Sequence, residues 1–301
     1  MRYAIGADVG GTNIRVGLID ESGRLLAKKS EPVGVHRDPL PFFNRLTNLI
    51  ENVAGTHLNS LSGIGLGLPG ICNKKEGMIH QLPHFPSWRD VPVSKILSEK
   101  FSCPIFFDND ANMATLGELW RGTAKNLDSF IMLTLGTGIG GGLVLNRKLW
   151  QGAQGFAGEV GHMVIEVGGR ACACGNKGCW EVYASSGAVP KETTAEKLSD
   201  QALAGDFEAK KFWETFGKYL GVGIANLASI TGIENYVLAG GIAKAFPHFM
   251  EACKKAVRQN TYNHLAQRVV ILQSTLDGDG NLLGAAHAVF TSSISTGAKV
   301  E

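Results

Sequence analysis

Residues 8–17 read DVGGTNIRVG, and residues 134–143 read TLGTGIGGGL. Each stretch follows an apolar run of strand character, 3–7 in the first case and 130–135 in the second. Each breaks at glycines and then resumes as a second apolar run, 14–19 and 143–145. The motif strand, glycine turn, strand therefore occurs twice, about 120 residues apart. That period is far too long for a solenoid. It predicts a duplicated α/β domain, two similar lobes facing each other across a cleft.

The elements around each hairpin fit this reading. In the first half, the turn at 20–23 leads into a strand at 25–30. A helix at 41–53 follows, with Phe42, Leu46, Leu49, Ile50 and Val53 spaced by three and four. A buried strand at 64–68 ends in Pro69-Gly70, a helix covers 93–101, and a strand at 105–107 delivers Asp108-Asn109-Asp110 into a helix at 111–121. In the second half, a long helix spans 206–228 with Phe212, Phe216, Leu220, Ile224 and Leu227 on one stripe. A strand at 237–239 runs into Gly240-Gly241, then come a helix at 249–259, a strand at 269–272 and a closing helix at 282–290. The division expected is an N-terminal α/β lobe at 1–112, completed by the closing helix at about 280–292. The C-terminal lobe then spans 113–279 and carries a Gly, Cys and His-rich loop at 155–181. The last ten residues, rich in Ser, Thr and Gly, read as a loose tail.

Composition narrows the class. Hydrophobic residues make up 44% and charged residues 19% of the 301 residues, a globular balance. The net charge of +2 is spread along the chain, with no basic stripe for nucleic acid. No apolar run reaches the roughly 20 residues of a membrane span, and the start of the chain, ended by Asp8, does not read as an export signal. The expectation is a cytoplasmic protein without nucleic-acid or membrane partners.

The 39 glycines ask for an explanation. At Gly10-Gly11, adjacent glycines in a hairpin turn leave backbone N–H groups free to face an anion. Thr12 and Asn13 add side-chain donors, and Asp8 is suited to a hydrated Mg²⁺. A plain turn with no ligand explains this loop equally well. The second loop, 134–142, holds five glycines, more than a tight turn needs, and Gly240-Gly241 is a third glycine turn after a strand. Three such turns suit a nucleotide lying across two lobes. Neither GxxxxGK[ST] nor GxGxxG occurs as a strand-to-helix phosphate loop, since the glycines at 136–142 lie between two strands.

A metal signal lies at residues 172–179, CACGNKGC, where Cys172, Cys174 and Cys179 are spaced by two and five. His162, ten residues upstream, completes a Cys₃His set for a structural zinc. Three reduced cysteines in a loop is the simpler alternative, and the spacing disfavours it. Cys72, Cys103 and Cys253 read as isolated thiols. Around this loop stand Glu159, in GEVGH, and Glu181, while Asp110 follows an apolar strand beside Asn109. Asp110 alone is explicable as a helix cap. Glu159 and Glu181, flanking the metal loop on both sides, are rigid acceptors of the kind that a polyhydroxylated substrate requires.

Together these residues carry a family resemblance. Residues 172–181, CACGNKGCWE, resemble the CxCGxxGCxE signature of the ROK family (repressors, open reading frames, kinases). DVGGTNIRVG is similar to its phosphate-1 motif, LTLGTGIGGG to its phosphate-2 motif, LAGGIA to its adenosine motif, DNDAN to its catalytic-base segment and GEVGH to its sugar-binding segment. The resemblance covers nearly the whole chain. It implies two RNase H-like lobes of the actin-like ATPase fold around a central cleft, with a structural zinc loop.

The resemblance also implies an ATP-dependent hexokinase that uses ATP, Mg²⁺ and structural Zn²⁺, and the homodimer usual in the family. Asp110 would accept the proton of the sugar 6-hydroxyl. Asn109, Glu159, His162 and Glu181 would bind ring hydroxyls, with Pro69 and Gly70 closing over the sugar. His162 would hold zinc through one ring nitrogen and sugar through the other. Asp8, Gly10, Gly11, Thr12 and Asn13, with Thr134, Gly136, Thr137 and Gly138, would line the phosphates, and Gly240 and Gly241 the adenosine.

Residues 81–93 are similar to the corresponding segment of family glucokinases, which makes glucose the expected acceptor. N-acetylmannosamine, N-acetylglucosamine, fructose and allose kinases share the motifs, and ADP or polyphosphate are alternative donors. Repressors of the family carry a DNA-binding segment ahead of the kinase-like body, for which a motif starting at Asp8 leaves no room. A sugar sensor without catalysis is the remaining alternative, and it has no need of Asp110.

Overall fold

A computed structural model describes residues 1–34, 38–82, 85–276 and 278–295. His84 and Pro83, inside the glucokinase-like segment, and residues 296–301 of the expected tail lie outside the described residues. The chain forms two compact units. The first comprises Met1–Asn126, Gln151–Phe156 and the residues from Leu276 onward, and the second Leu127–Trp150 and Ala157–Thr275.

In the first unit, β1 (Tyr3–Val9), β2 (Asn13–Asp20) and β3 (Leu25–Pro32) form an antiparallel meander, as the alternation of apolar runs with Gly-rich and Asp-Glu-Ser-Gly turns requires. β4 (Leu61–Leu68) lies parallel to β1. Three short strands, β5 (Ile71–Asn73), β6 (Met78–Leu82) and β7 (Phe85–Val91), form a separate antiparallel sheet that the sequence reading did not anticipate. β8 (Ile105–Asn109) returns to the main sheet parallel to β4, giving the order β3-β2-β1-β4-β8. Helix α1 (Pro39–Ala54) turns Phe42, Phe43, Leu46, Leu49 and Ile50 into the core. Trp88 of β7 is fully buried against Phe42, ring centroids 5.0 Å apart and edge to face, which pins the small sheet to α1. Helix α2 (Val93–Ser98) precedes β8, and α3 (Asp110–Arg121) follows it directly.

The closing helix, Gly280–Ser295, packs on both α3 and the main sheet. It approaches so closely that a methyl group on Gly6 of β1 would overlap the Leu282 carbonyl oxygen. One on Gly65 of β4 would overlap that of Ala285, and one on Gly117 of α3 that of Gly280. This packing draws α3 into the first unit, so that unit extends to Asn126 rather than ending at 112. A good part of the glycine content thus serves helix–sheet contact.

The second unit repeats the plan. β9 (Phe130–Leu135), β10 (Ile139–Leu145) and β11 (Lys148–Trp150) form a meander, β12 (Asn235–Ala239) lies parallel to β9 and β13 (Val270–Gln273) parallel to β12. The order β11-β10-β9-β12-β13 matches the first sheet strand for strand. Between β11 and β12 run α4 (Glu181–Ala184), α5 (Ala195–Leu203) and α6 (Phe207–Thr231). α7 (Phe246–Asn260) packs on α6 across Gly217 and Gly221, and α8 (Asn263–Ala266) leads into β13. Trp213, Phe216 and Phe249 fill the core between α6 and α7. Among the described residues no helix is long and apolar enough to cross a membrane.

Candidate active site

The acidic corner of the first unit is built by the end of β8. Asn109, extended at φ −55° and ψ 143°, caps α3 by accepting the N–H groups of Ala111 (2.9 Å) and Asn112 (3.4 Å). The cap is thus Asn109, not Asp110. Asp110 is the first helical residue, and its own Oδ1 also accepts the Ala111 N–H at 2.9 Å. A carboxylate in that first turn suits the positive end of the helix. Asn109 Nδ2 donates to the carbonyl of Gly70 (3.3 Å), so Pro69-Gly70, between β4 and β5, is tied to the corner. Beneath it lies Asp108, a buried carboxylate to which Lys74 donates at 2.8 Å. The neighbouring Cys72 thiol is pushed well up by burial and then by the charges of Asp108 and Asp110, with Lys74 opposing. Asp108 and Lys74 escaped the sequence reading. The one available signal was a second acid, beside Asp110, at the end of an apolar strand.

The glycine loops differ from expectation in two ways. Asp8 is buried, and both its oxygens are engaged: Arg15 donates Nε to Oδ2 (2.9 Å) together with Nη2, and Asn281 donates to Oδ1 (2.7 Å). A cation at Asp8 must therefore compete with, or displace, Arg15. In the loop itself Gly10 N–H bonds the Asn13 carbonyl at 2.9 Å, and Val33 N–H the Thr12 carbonyl at 2.7 Å. In the second loop, Gly140, Gly141 and Gly142 belong to β10, paired with Thr134, Leu133 and Met132. The turn proper is Gly136-Thr137-Gly138, closed by Gly136 N–H on the Gly138 carbonyl (3.0 Å). Ser185 Oγ holds the Thr137 carbonyl at 3.1 Å, and Ser186 N–H holds that of Gly136 at 2.9 Å. Gly240, at φ 93°, sits where any side chain would overlap the Leu135 carbonyl, and Gly241 follows as the cap of a short 3₁₀ turn, Ile242–Ala245.

The second unit gathers the metal-type residues. His162 and Cys172, Cys174 and Cys179 each offer one donor atom, all within 4.8 Å of one another. Sγ of Cys174 and Cys179 are 3.6 Å apart, and Cys172 Sγ lies 3.8 Å from His162 Nδ1. Those are close to the edges of a zinc–thiolate tetrahedron, about 3.7 Å for bonds near 2.3 Å. The donor set therefore fits a structural zinc. Gly178, at φ 82°, lets the loop pass tightly under the Glu166 carbonyl, and buried Trp180 anchors it by donating Nε1 to the Tyr219 carbonyl of α6 (2.9 Å).

Of the three sugar-site candidates of this unit, His162 belongs to the cluster, and Glu159 and Glu181 lie beside it. Glu181 Oε1 accepts the Cys172 thiol at 3.0 Å and stands 3.5 Å from His162 Nδ1, while Glu159 Oε2 is 3.9 Å from His162 Nε2. The imidazole thus turns one nitrogen to the thiols and the other to Glu159. Burial, then the hydrogen bond to Glu181, pushes the Cys172 thiol up to about 12, whereas the Asn176 N–H holds that of Cys174 below its usual value. A metal ion must therefore displace a proton from Cys172 on binding.

A family model for the ROK family matches residues 4–291. The chain is 32% identical to a glucokinase of Halalkalibacterium halodurans over 314 aligned positions, covering 96% of this chain and 95% of the relative. It is equally 32% identical to a xylose repressor of Bacillus subtilis, covering 95% of this chain and 77% of the repressor. Among solved structures, a ROK family glucokinase from Streptomyces griseus, in complex with glucose and AMPPNP, superposes with a TM-score of 0.82 at 27% identity, covering 96% of this chain and 99% of that one. The chain belongs to the ROK family, and its mixed α/β fold is that of the family's solved kinases.

Proposed function

We propose that the chain is an ATP-dependent sugar kinase that transfers the γ-phosphoryl group to the 6-hydroxyl of a hexose, with glucose as the acceptor. The observation that carries this reading is the Asn109–Asp110 corner, where a carboxylate opens a helix whose cap, Asn109, is tied to the Gly70 carbonyl. Asp110 accepts the proton of the attacking hydroxyl. Asn109, Glu159, His162 and Glu181 supply acceptors and donors for the ring hydroxyls, each of which needs a partner once water is excluded.

Phosphoryl transfer asks mainly for positioning and charge neutralisation. The backbone N–H groups of the two glycine turns, with Thr12, Asn13 and Thr137, hold the phosphates, and Gly240-Gly241 leaves room for the nucleoside. Mg²⁺, when bound with ATP, neutralises the charge that develops on the phosphates. His162 and the three cysteines would hold a zinc ion, which would stabilise the loop that carries Glu159 and Glu181. The Streptomyces griseus glucokinase, bound to glucose and an ATP analogue, supports both substrates by similarity.

The xylose repressor relative favours a second reading, a sugar-responsive regulator. A coupled ADP-release assay with Mg-ATP across hexoses, pentoses and N-acetylhexosamines tests the first. Turnover on glucose above the other sugars is the expected result. Preference for an N-acetylated sugar replaces the acceptor and keeps the chemistry, and sugar binding without turnover selects the regulator.

A further inference from the structure

Asp108 is the carboxylate that the reaction above leaves unused, and it is the most heavily bonded side chain of the corner. Its Oδ1 accepts the backbone N–H of Asn109 (2.7 Å) and Asn112 Nδ2 (3.0 Å), and its Oδ2 accepts Lys74 Nζ (2.8 Å) and Gln151 Nε2. A carboxylate offers about four lone-pair positions, and all are in use. The donors arrive from three separate segments: the start of α3, the turn between β5 and β6, and Gln151–Phe156. Among these donors Lys74 carries the positive charge, so it bears the charge balance of the group.

A buried ion pair that merely holds the fold is the simplest account of such a hub. Two features go beyond it. Both Oδ1 donors belong to residues on either side of Asp110, namely Asn109 just before it and Asn112 two positions after it. Asn109 also holds Gly70 at the head of the hairpin that carries Lys74. The hairpin is therefore attached to the corner at both ends of β5, through Gly70 to Asn109 and through Lys74 to Asp108. Further, the Lys74 side chain is 40% exposed although its partner is buried, which leaves the ammonium at the outer edge of the network.

We propose that Asp108 is a positioning residue for the transfer reaction. It fixes the Asn109–Asp110 corner against the acceptor hydroxyl and couples it, through Lys74, to the hairpin beginning at Pro69-Gly70. The inference rests on the sugar-kinase reading and deepens it.

Steady-state kinetics of Asp108→Asn, Lys74→Met, the double variant and Asp110→Asn test it, with thermal melts as a check on folding. Asp108→Asn keeps the shape and removes the charge. It is expected to lower kcat by ~10-fold or more, as small misplacements at a reacting centre do, with KM for Mg-ATP unchanged. Lys74→Met, at an exposed site, is expected to raise KM for the sugar ~5-fold and spare KM for Mg-ATP. The double variant should fall short of the product of the two effects on sugar kcat/KM, because both break one pair.

Wild-type sugar kinetics in folded Asp108→Asn and Lys74→Met, with Asp110→Asn inactive, overturn the inference and leave the kinase reading standing. An Asp110→Asn enzyme as active as wild type removes that reading and this inference with it. Equal rises in KM for sugar and Mg-ATP in Lys74→Met also overturn it. If Asp108→Asn does not fold, the Lys74→Met result alone decides.

Discussion

The two five-stranded sheets share one strand order, and their first hairpins are in register. Val9 pairs with Ile14 as Leu135 pairs with Ile139. One step down, Asp8 pairs with Arg15 where Thr134 pairs with Gly140. On the same backbone, the first unit places a buried carboxylate paired with a half-buried arginine, and the second a hydroxyl opposite a glycine. The outer turns differ in the same sense. The β2–β3 turn is organised by the Asp20 carboxylate, which accepts Ser22 Oγ (2.5 Å), Ser22 N–H (2.9 Å) and Arg24 N–H (3.0 Å). The β10–β11 turn is a tight two-residue link with Asn146 and Arg147 both at positive φ. A duplicated sheet can therefore be closed by charge in one copy and by backbone geometry in the other. Each half has also inserted its own device: the β5–β7 sheet beside Asp110 in the first, and the Cys/His loop in the second.

The strongest break in that comparison is Asp110→Asn. On the proposed reading it should lower kcat by ~10²-fold or more with the melting temperature little changed, because the amide loses the base but keeps an oxygen for the Ala111 N–H. ADP-release kinetics beside a thermal melt check it. The second unit should fail differently. Stripping metal with a chelator, or Cys179→Ser, is expected to release zinc detectable by elemental analysis and to lower the melting temperature by more than ~5 °C. Retention of the wild-type melt after complete removal would show that the cluster needs no metal to hold the loop.

Arg15→Met strands the buried Asp8 carboxylate and should cost about 2–3 kcal/mol in urea unfolding. Thr134→Val, at the matching register position, should cost under ~1 kcal/mol. Equal costs would erase the distinction between the two hairpins.

The smallest effect belongs to Asp20. Burial pushes its carboxyl up, but the hydrogen bonds from Ser22 and Arg24 and the Arg24 charge outweigh it and hold the group below its ordinary value. A lowered folded value means that the stabilisation is fully present above the ordinary carboxylate range. It is lost as pH falls through the folded value. Asp20→Asn should therefore lower the melting temperature modestly at pH 7, flatten the acid limb between about pH 5 and pH 2, and converge with the wild type at its acid end. An unchanged acid limb would count against the turn as a charge-dependent element.

Legibility from sequence followed the range of the interactions. The hairpins were readable because each is a local pattern of apolar run, glycines and apolar run. The Cys/His cluster was readable because three of its four donors lie within eight residues. The β5–β7 sheet was not, since its strands are short and polar at His80, Arg89 and Asp90, and its burial depends on Trp88 meeting Phe42 of α1. Asp108 read as one more acid because its partners Lys74 and Gln151 lie 34 and 43 positions away. Nothing in the local sequence marks the glycines at 6, 65 and 117. Their use, close approach by a helix that begins at 280, is invisible until the chain is folded.

That close approach also sets an order of events during synthesis. Every strand of the first sheet has been synthesised by residue 109, yet the helix that covers Gly6 and Gly65 begins only at residue 280. In the interval the second unit, whose sheet and helices come from one nearly continuous stretch, has all its parts and can settle first. The older half of the chain must wait with one face of its sheet bare, held only by its own side of the core. At 5–20 residues per second this wait lasts on the order of ten seconds or more. It is the period in which the nascent protein is most exposed to a chaperone or to another unfinished copy of itself.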